Sequence, residues 1–160
     1  MTNGEALAEE LKRAVRGDAW HGPALNEVIA GVSAEEAMQR PIPAAHNIWE
    51  LVLHITSWGN IVMRRMSGGQ AHPYEGEDWP EVHDFSPEQW TAATQAMSQS
   101  YEHLCALVAG MSDDQLLKQA PNGGTIAFML HGVAQHAAYH GGQISLLRKA
   151  VTTRHRRAAI

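Results

Sequence analysis

The chain has 160 residues, a length that suits one domain spanning 1–160 with room for a proper core. A hydrophobic content of 44% excludes a disordered chain, and 12 basic against 17 acidic residues give a net charge of −5, which argues against nucleic acid as the main partner. The lone cysteine, Cys105, fits a reducing cytoplasm, and a polar start with no run of 18 apolar residues predicts neither a signal peptide nor a membrane span.

The first predicted helix covers Gly4 to Arg16, where Ala6, Leu7, Leu11, Ala14 and Val15 make one apolar stripe. Leu25, Val28, Ile29 and Val32 continue an apolar face beyond Pro23, so this stretch reads as a second piece of the same helix, kinked at 17–23. Ser33 and Glu36 have capping-box spacing and predict a short helical turn. Arg40-Pro41-Ile42-Pro43 reads as an extended connector, because a proline pushes the residue before it out of the helical region. The second long helix starts at Asn47, with Glu50 as its capping partner, a structural task that makes Glu50 a poorer ligand candidate. Leu51, His54, Ile55, Trp58, Val62 and Arg65 lie near one face of it, and Gly68-Gly69 closes it.

Residues 70–85 form a long polar connection holding His72, His83, Tyr74 and Trp79, with too few apolar residues for an element of its own. A loop of this length in a compact domain is usually functional or mobile, and it could lie across the mouth of a helical bundle; its histidines read as solvated rather than as ligands. Ser86-Pro87-Glu88-Gln89 is a helix start, followed by the stripe Trp90, Ala93, Met97, Tyr101, Leu104, Cys105 and Val108, and a stop at Gly110. Cys105 reads as a small core residue. Ser112-Asp113-Asp114 opens another short turn, and 120–124 is a loop. Thr125 caps a fourth long helix that runs to about Val151, with a frayed basic tail from Thr152.

Within that last helix, His136 and His140 are four residues apart, so both imidazoles share one face at a spacing that chelates a divalent metal. Val133, Ala137, Ile144 and Leu147 lie on the same face, which turns the histidines toward a core. Taken alone, this spacing also fits two satisfied core histidines. His54 occupies a matching place among apolar residues of a different helix, which favours the metal. His131 falls some 140° around from His136 and is off the site. Ala137 stands where a zinc protease has its catalytic glutamate, and the chain lacks the Glu-x-x-His pairs of a carboxylate di-metal bundle.

The segments His46-Asn47-Ile48-Trp49-Glu50-Leu51-Val52-Leu53-His54-Ile55 and His131 to Ile144 (HGVAQHAAYHGGQI) together resemble the DinB/YfiT-like family of bacterial proteins. The resemblance implies an all-α four-helix bundle with a long crossover connection, often dimeric, and one divalent metal, zinc or nickel, on three histidines matching His54, His136 and His140. It implies a metal-dependent enzyme acting on a small-molecule substrate, with a thiol S-transferase that uses a low-molecular-weight thiol as the leading expectation. A metal-dependent hydrolase and a non-catalytic metal-binding or stress-response protein are the alternatives, since fold does not fix function. Gln143, one turn past His140, and Trp58, one turn past His54, could border such a site, while Tyr139 is off the ligand face by about 100°; for each, core packing or helix surface is the leading reading, and no residue is assigned a catalytic role.

Overall fold

A computed structural model of the chain describes residues 1–158, with side chains through Thr153. The protein is all-α. Four long helices, α1 (Asn3–Arg16), α4 (Ile48–Met66), α5 (Pro87–Ala109) and α7 (Ile126–Ala158), are joined through three short ones, α2 (Leu25–Ile29), α3 (Ala34–Met38) and α6 (Asp113–Leu116). There is no strand among the described residues, only an isolated bridge between Gln119 and Thr125. No described helix is long and apolar enough to cross a membrane.

The caps form where side-chain oxygens are available to the free N–H groups of a first helical turn. Asn47 accepts from the Glu50 N–H at 2.9 Å while Glu50 accepts from the Asn47 N–H at 3.1 Å. Ser33 with Glu36 and Ser112 with Gln115 repeat the arrangement. Thr125 accepts from the Phe128 N–H at 3.1 Å, as its position before α7 requires.

The long helices pack in the cycle α1–α5–α4–α7. α1 and α5 run antiparallel: Gly4 lies against the carbonyls of Val108 and Met111, while Arg16, at the other end of α1, pairs with Glu102. α4 and α5 run parallel, since Trp49 packs on Trp90 near their starts and Asn60 accepts from Ser100 further along both. Two successive parallel helices need a long return, and residues 67–86 supply it. α4 approaches α5 closely at Gly59, where a Cβ would sit 2.7 Å from Ser100 Oγ and 3.3 Å from the Tyr101 ring. The core is built from Leu11, Val15, Trp49, Ile55, Met97, Tyr101, Leu104, Leu130 and Ile144, all essentially without solvent contact.

Two expectations need correction. Residues 23–32 are not a kinked continuation of the first helix. Gly17 (φ +153°), Asp18 (φ +57°) and Gly22 (φ +123°) put the chain through left-handed backbone that no helix contains, and the next helix, α2, is a separate five-residue piece. Its apolar face, Leu25, Val28 and Ile29, is buried and packs against α7 and α1. The last helix also does not fray at Thr152: α7 continues to Ala158, with Thr152 and Thr153 donating their hydroxyls to the carbonyls of Arg148 and Lys149 inside it.

Candidate metal centre

His54 projects from the second turn of α4, and His136 and His140 from the middle of α7, where the two helices face each other. Their Nε2 atoms converge. His54 Nε2 lies 3.0 Å and His140 Nε2 3.1 Å from His136 Nε2. The ligand atoms of all three fall within 4.8 Å of one another, and together they form a group that could hold a metal ion. His54 and His140 are buried, at 5% and 7% exposure, and His136 is partly so.

The opposite ring nitrogens explain this orientation. His54 Nδ1 donates to the main-chain carbonyl of Asp78 at 2.6 Å, and His140 Nδ1 donates to Gln143 Oε1 at 2.6 Å. Both acceptors are oxygens without a proton, so each ring carries its hydrogen on Nδ1 and turns a lone pair inward from Nε2. Both lone pairs point at His136 Nε2. That atom bears one hydrogen at most, and His136 Nδ1 is buried with no hydrogen-bond partner among the described residues. With protein atoms alone, one tautomer of His136 leaves three lone pairs face to face, and the other strands a buried lone pair at Nδ1. A divalent cation shared by the three Nε2 atoms resolves the first arrangement, so the donor set fits such an ion.

Electrostatics keep the rings neutral. Burial holds His136 down to about 3 from an ordinary 6.5, and positive charge on His140 or His54 would oppose its protonation further. Burial also lowers His54, against the pull of Asp78, and lowers His140, against its bond to Gln143. Neutral imidazole is the form that binds metal.

The crossover forms one wall. The indole of Trp79 is sandwiched between His54 (ring centroids 3.8 Å apart, planes 8° from parallel) and His46 (3.6 Å, 7°). Asp78 uses its carbonyl for His54 and its carboxylate to accept from Trp58 Nε1 at 2.7 Å. Trp58 in turn lies with its ring 5.6 Å from that of His136. Two further contacts tie the strap down: Arg64 donates to Glu77 at 2.9 Å, and Arg65, buried against the face of Trp58, donates from Nε to the Ala71 carbonyl at 2.7 Å.

The structure therefore brings His54, His136 and His140 together and leaves His131, His72 and His83 outside the group. His131 is exposed and paired with Glu10 at 2.9 Å, and His72 and His83 are exposed on the crossover. Gln143 and Trp58 border the group, where the leading expectation for each is core packing or helix surface, and Tyr139 is 65% exposed with its ring edge-on to His140. Asp78, Trp79 and His46 were not found by sequence reasoning. Asp78 acts through its main-chain oxygen, which no side-chain motif announces, and a lone tryptophan in a polar loop carries no periodic signal. The one cue was the length of the loop. Cys105 is half-buried and packs against the core, and burial pushes its thiol up.

An all-α chain with three histidines converging from two helices defines the class: a helical protein with a three-imidazole, metal-compatible centre. Residues 19–144 match the DinB superfamily, and the chain belongs to that superfamily. No curated protein and no solved structure matches it.

Proposed function

We propose that the protein binds one divalent metal ion through Nε2 of His54, His136 and His140 and is a metal-dependent enzyme, a thiol S-transferase that takes a low-molecular-weight thiol as cosubstrate. The observation that carries the metal reading is the convergence of three Nε2 atoms whose tautomers are set by the Asp78 carbonyl and Gln143. The family resemblance supports the thiol chemistry. Zinc and nickel suit imidazole donors. Such an ion, held by the three neutral imidazoles, would supply a Lewis acid able to lower the pKa of a thiol or water.

The chain's own groups have definable tasks. Asp78 and Gln143 hold the hydrogens of His54 and His140 on Nδ1, which fixes ring orientation and makes Nε2 more basic. Trp58 and Trp79 keep water from the crossover side of the rings. The Asp78 carboxylate, 46% exposed, lies 3.4 Å from His54 Nδ1.

The test has two parts. Metal content by plasma mass spectrometry should be near one ion per chain in untagged wild type and fall to background in the His136→Ala and His140→Ala variants; near-stoichiometric metal in both variants overturns the site. Metal-loaded protein is then assayed with a panel of thiols and monochlorobimane. Turnover above that of His54→Ala is expected. Metal binding without any such excess would make the centre a non-catalytic cross-link.

A further inference from the structure

Arg65 falls on the stripe of α4 that Leu51, Ile55 and Val62 define, a face on which a cation is unusual. The structure keeps it there, at 6% exposure. A buried charge is ordinarily paired with an opposite one, because leaving water is costly for it. Arg65 has no such pair: among the described residues no carboxylate lies within ion-pair distance of it. Glu77, the acid whose charge acts on it, is already bonded to both Nη atoms of Arg64. Two guanidinium groups thus share one carboxylate at this end of α4, and one positive charge is left over.

The guanidinium is oriented without being satisfied. Nε donates to the Ala71 carbonyl at 2.7 Å, and Cζ sits 5.2 Å from the centre of the Trp58 ring. These contacts fix the plane of the fork. They leave the Nη hydrogens without a protein acceptor among the described residues, and neither Nη is sealed from solvent. Beyond Trp58 lies the histidine group. Its indole is 5.6 Å from the His136 ring, so steps of 5.2 and 5.6 Å put the guanidinium within roughly 11 Å of that ring, about three extended residues. Trp58 and His136 are both only partly buried. One turn before His136, a Cβ on Gly132 would meet no atom within 4 Å, so that flank of α7 is uncovered.

We propose that Arg65 binds a carboxylate of the small-molecule substrate, with Trp58 as the platform under the chain that joins this carboxylate to the group reacting at the histidines. The inference rests on the metal-and-thiol reading above and deepens it. The cosubstrate is an acid, a thiol whose carboxylate stands at the far end from its sulfur. A planar fork presenting parallel N–H groups suits a carboxylate. One spare charge suits a monoanion, whereas a phosphate dianion would bring a second charge that nothing at this end of α4 neutralises. Arg65 thereby sets specificity and takes no part in the bond changes.

The test is direct binding to cobalt-loaded protein, in which sulfur coordination adds a charge-transfer band that titrates with ligand. The probes are 6-mercaptohexanoate and 6-mercaptohexanol, alike in length and different in charge. Wild type should bind the acid at least about tenfold tighter than the alcohol, a factor that one charge-assisted hydrogen bond supplies. Arg65→Gln should bind the two alike with its cobalt content unchanged, and Arg65→Lys should keep part of the preference. If Arg65→Gln loses helical circular dichroism, Arg65→Met, whose apolar side chain still covers Trp58, takes its place. Equal affinities in wild type, or a preference that survives in the Gln or Met variant, overturn the proposal and leave the thiol reading standing. Bound cobalt that gives no sulfur band with either probe overturns the thiol reading and this inference with it.

Discussion

Each histidine of the centre has two ring nitrogens, and the fold gives them opposite tasks. For His54 and His140 the outer nitrogen is held by an oxygen acceptor, and for His136 it is not. Outer-shell partners of this kind tune ligand basicity, and their loss commonly weakens metal binding about 10–100-fold. Gln143→Leu should therefore weaken metal affinity by about that factor in a chelator competition, with the helix content of the protein unchanged. The same rings predict a pH dependence of the metal-free protein. Their folded pKa values are lowered, and that of His136 lies near 3 against 6.5 unfolded. Below 6.5 the unfolded chain takes up protons that the folded one resists, so stability is full above that pH and declines as pH falls from 6.5 toward 3. Urea unfolding midpoints at pH 7.5 and 5.0 should show the loss in wild type, and a smaller loss in His136→Phe.

At the scale of elements, the crossover and α4 depend on each other. The parallel course of α4 and α5 forces a long connection, and residues 67–86 use that length to reach back over His54. Trp79 between two imidazoles and the Arg64–Glu77 pair hold the strap. Arg64 holds the Glu77 carboxyl below its ordinary 4.5, so this contribution is complete above that value and fades as pH falls through the lower folded value. Trp79→Ala should remove the stack while leaving α4 and α7 in place; protease cleavage within 67–86 should accelerate, and metal affinity should drop. The start of α4 has its own dependence. Asn47 is fully buried and caps Glu50 N–H. Asn47→Ala should cost about 0.5–2 kcal/mol in urea unfolding, the range for a lost N-cap.

At the scale of the whole molecule, the histidine group joins α4 to α7, two of the four long helices that close the packing cycle. A ligand that binds only the folded arrangement stabilises it by mass action, about 4 kcal/mol at a thousand times its dissociation constant. Addition of zinc or nickel to metal-free protein should raise the melting temperature in wild type and leave that of the His54→Ala, His136→Ala double variant unmoved. The apolar core is the larger source of stability. Trp49 is 2% exposed and packs on Trp90 and Phe85, so Trp49→Ala should cost about 3–5 kcal/mol, measured in the same way.

The sequence alone determined the features that local chemistry sets. Helix starts were readable because Asn47, Ser33, Ser86 and Ser112 each accept from an N–H three residues on, a bond made within one turn. The apolar stripes fixed which side of each long helix is buried, and the i, i+4 spacing of His136 and His140 fixed that they share a face. His54 was added by its matching apolar surroundings and by resemblance. The rest depended on distant residues. Left-handed backbone at Asp18 separated α2 from α1, although the apolar pattern of 25–32 is as helical as any in the chain. The last turns of α7 persisted past Thr152, against the expectation drawn from a charged tail. The bond from His140 to Gln143 is made within one turn, but the bond that turns His54 comes from a main-chain carbonyl 24 residues away and the three Nε2 atoms meet only where two helices pack, and no local pattern encodes where those lie.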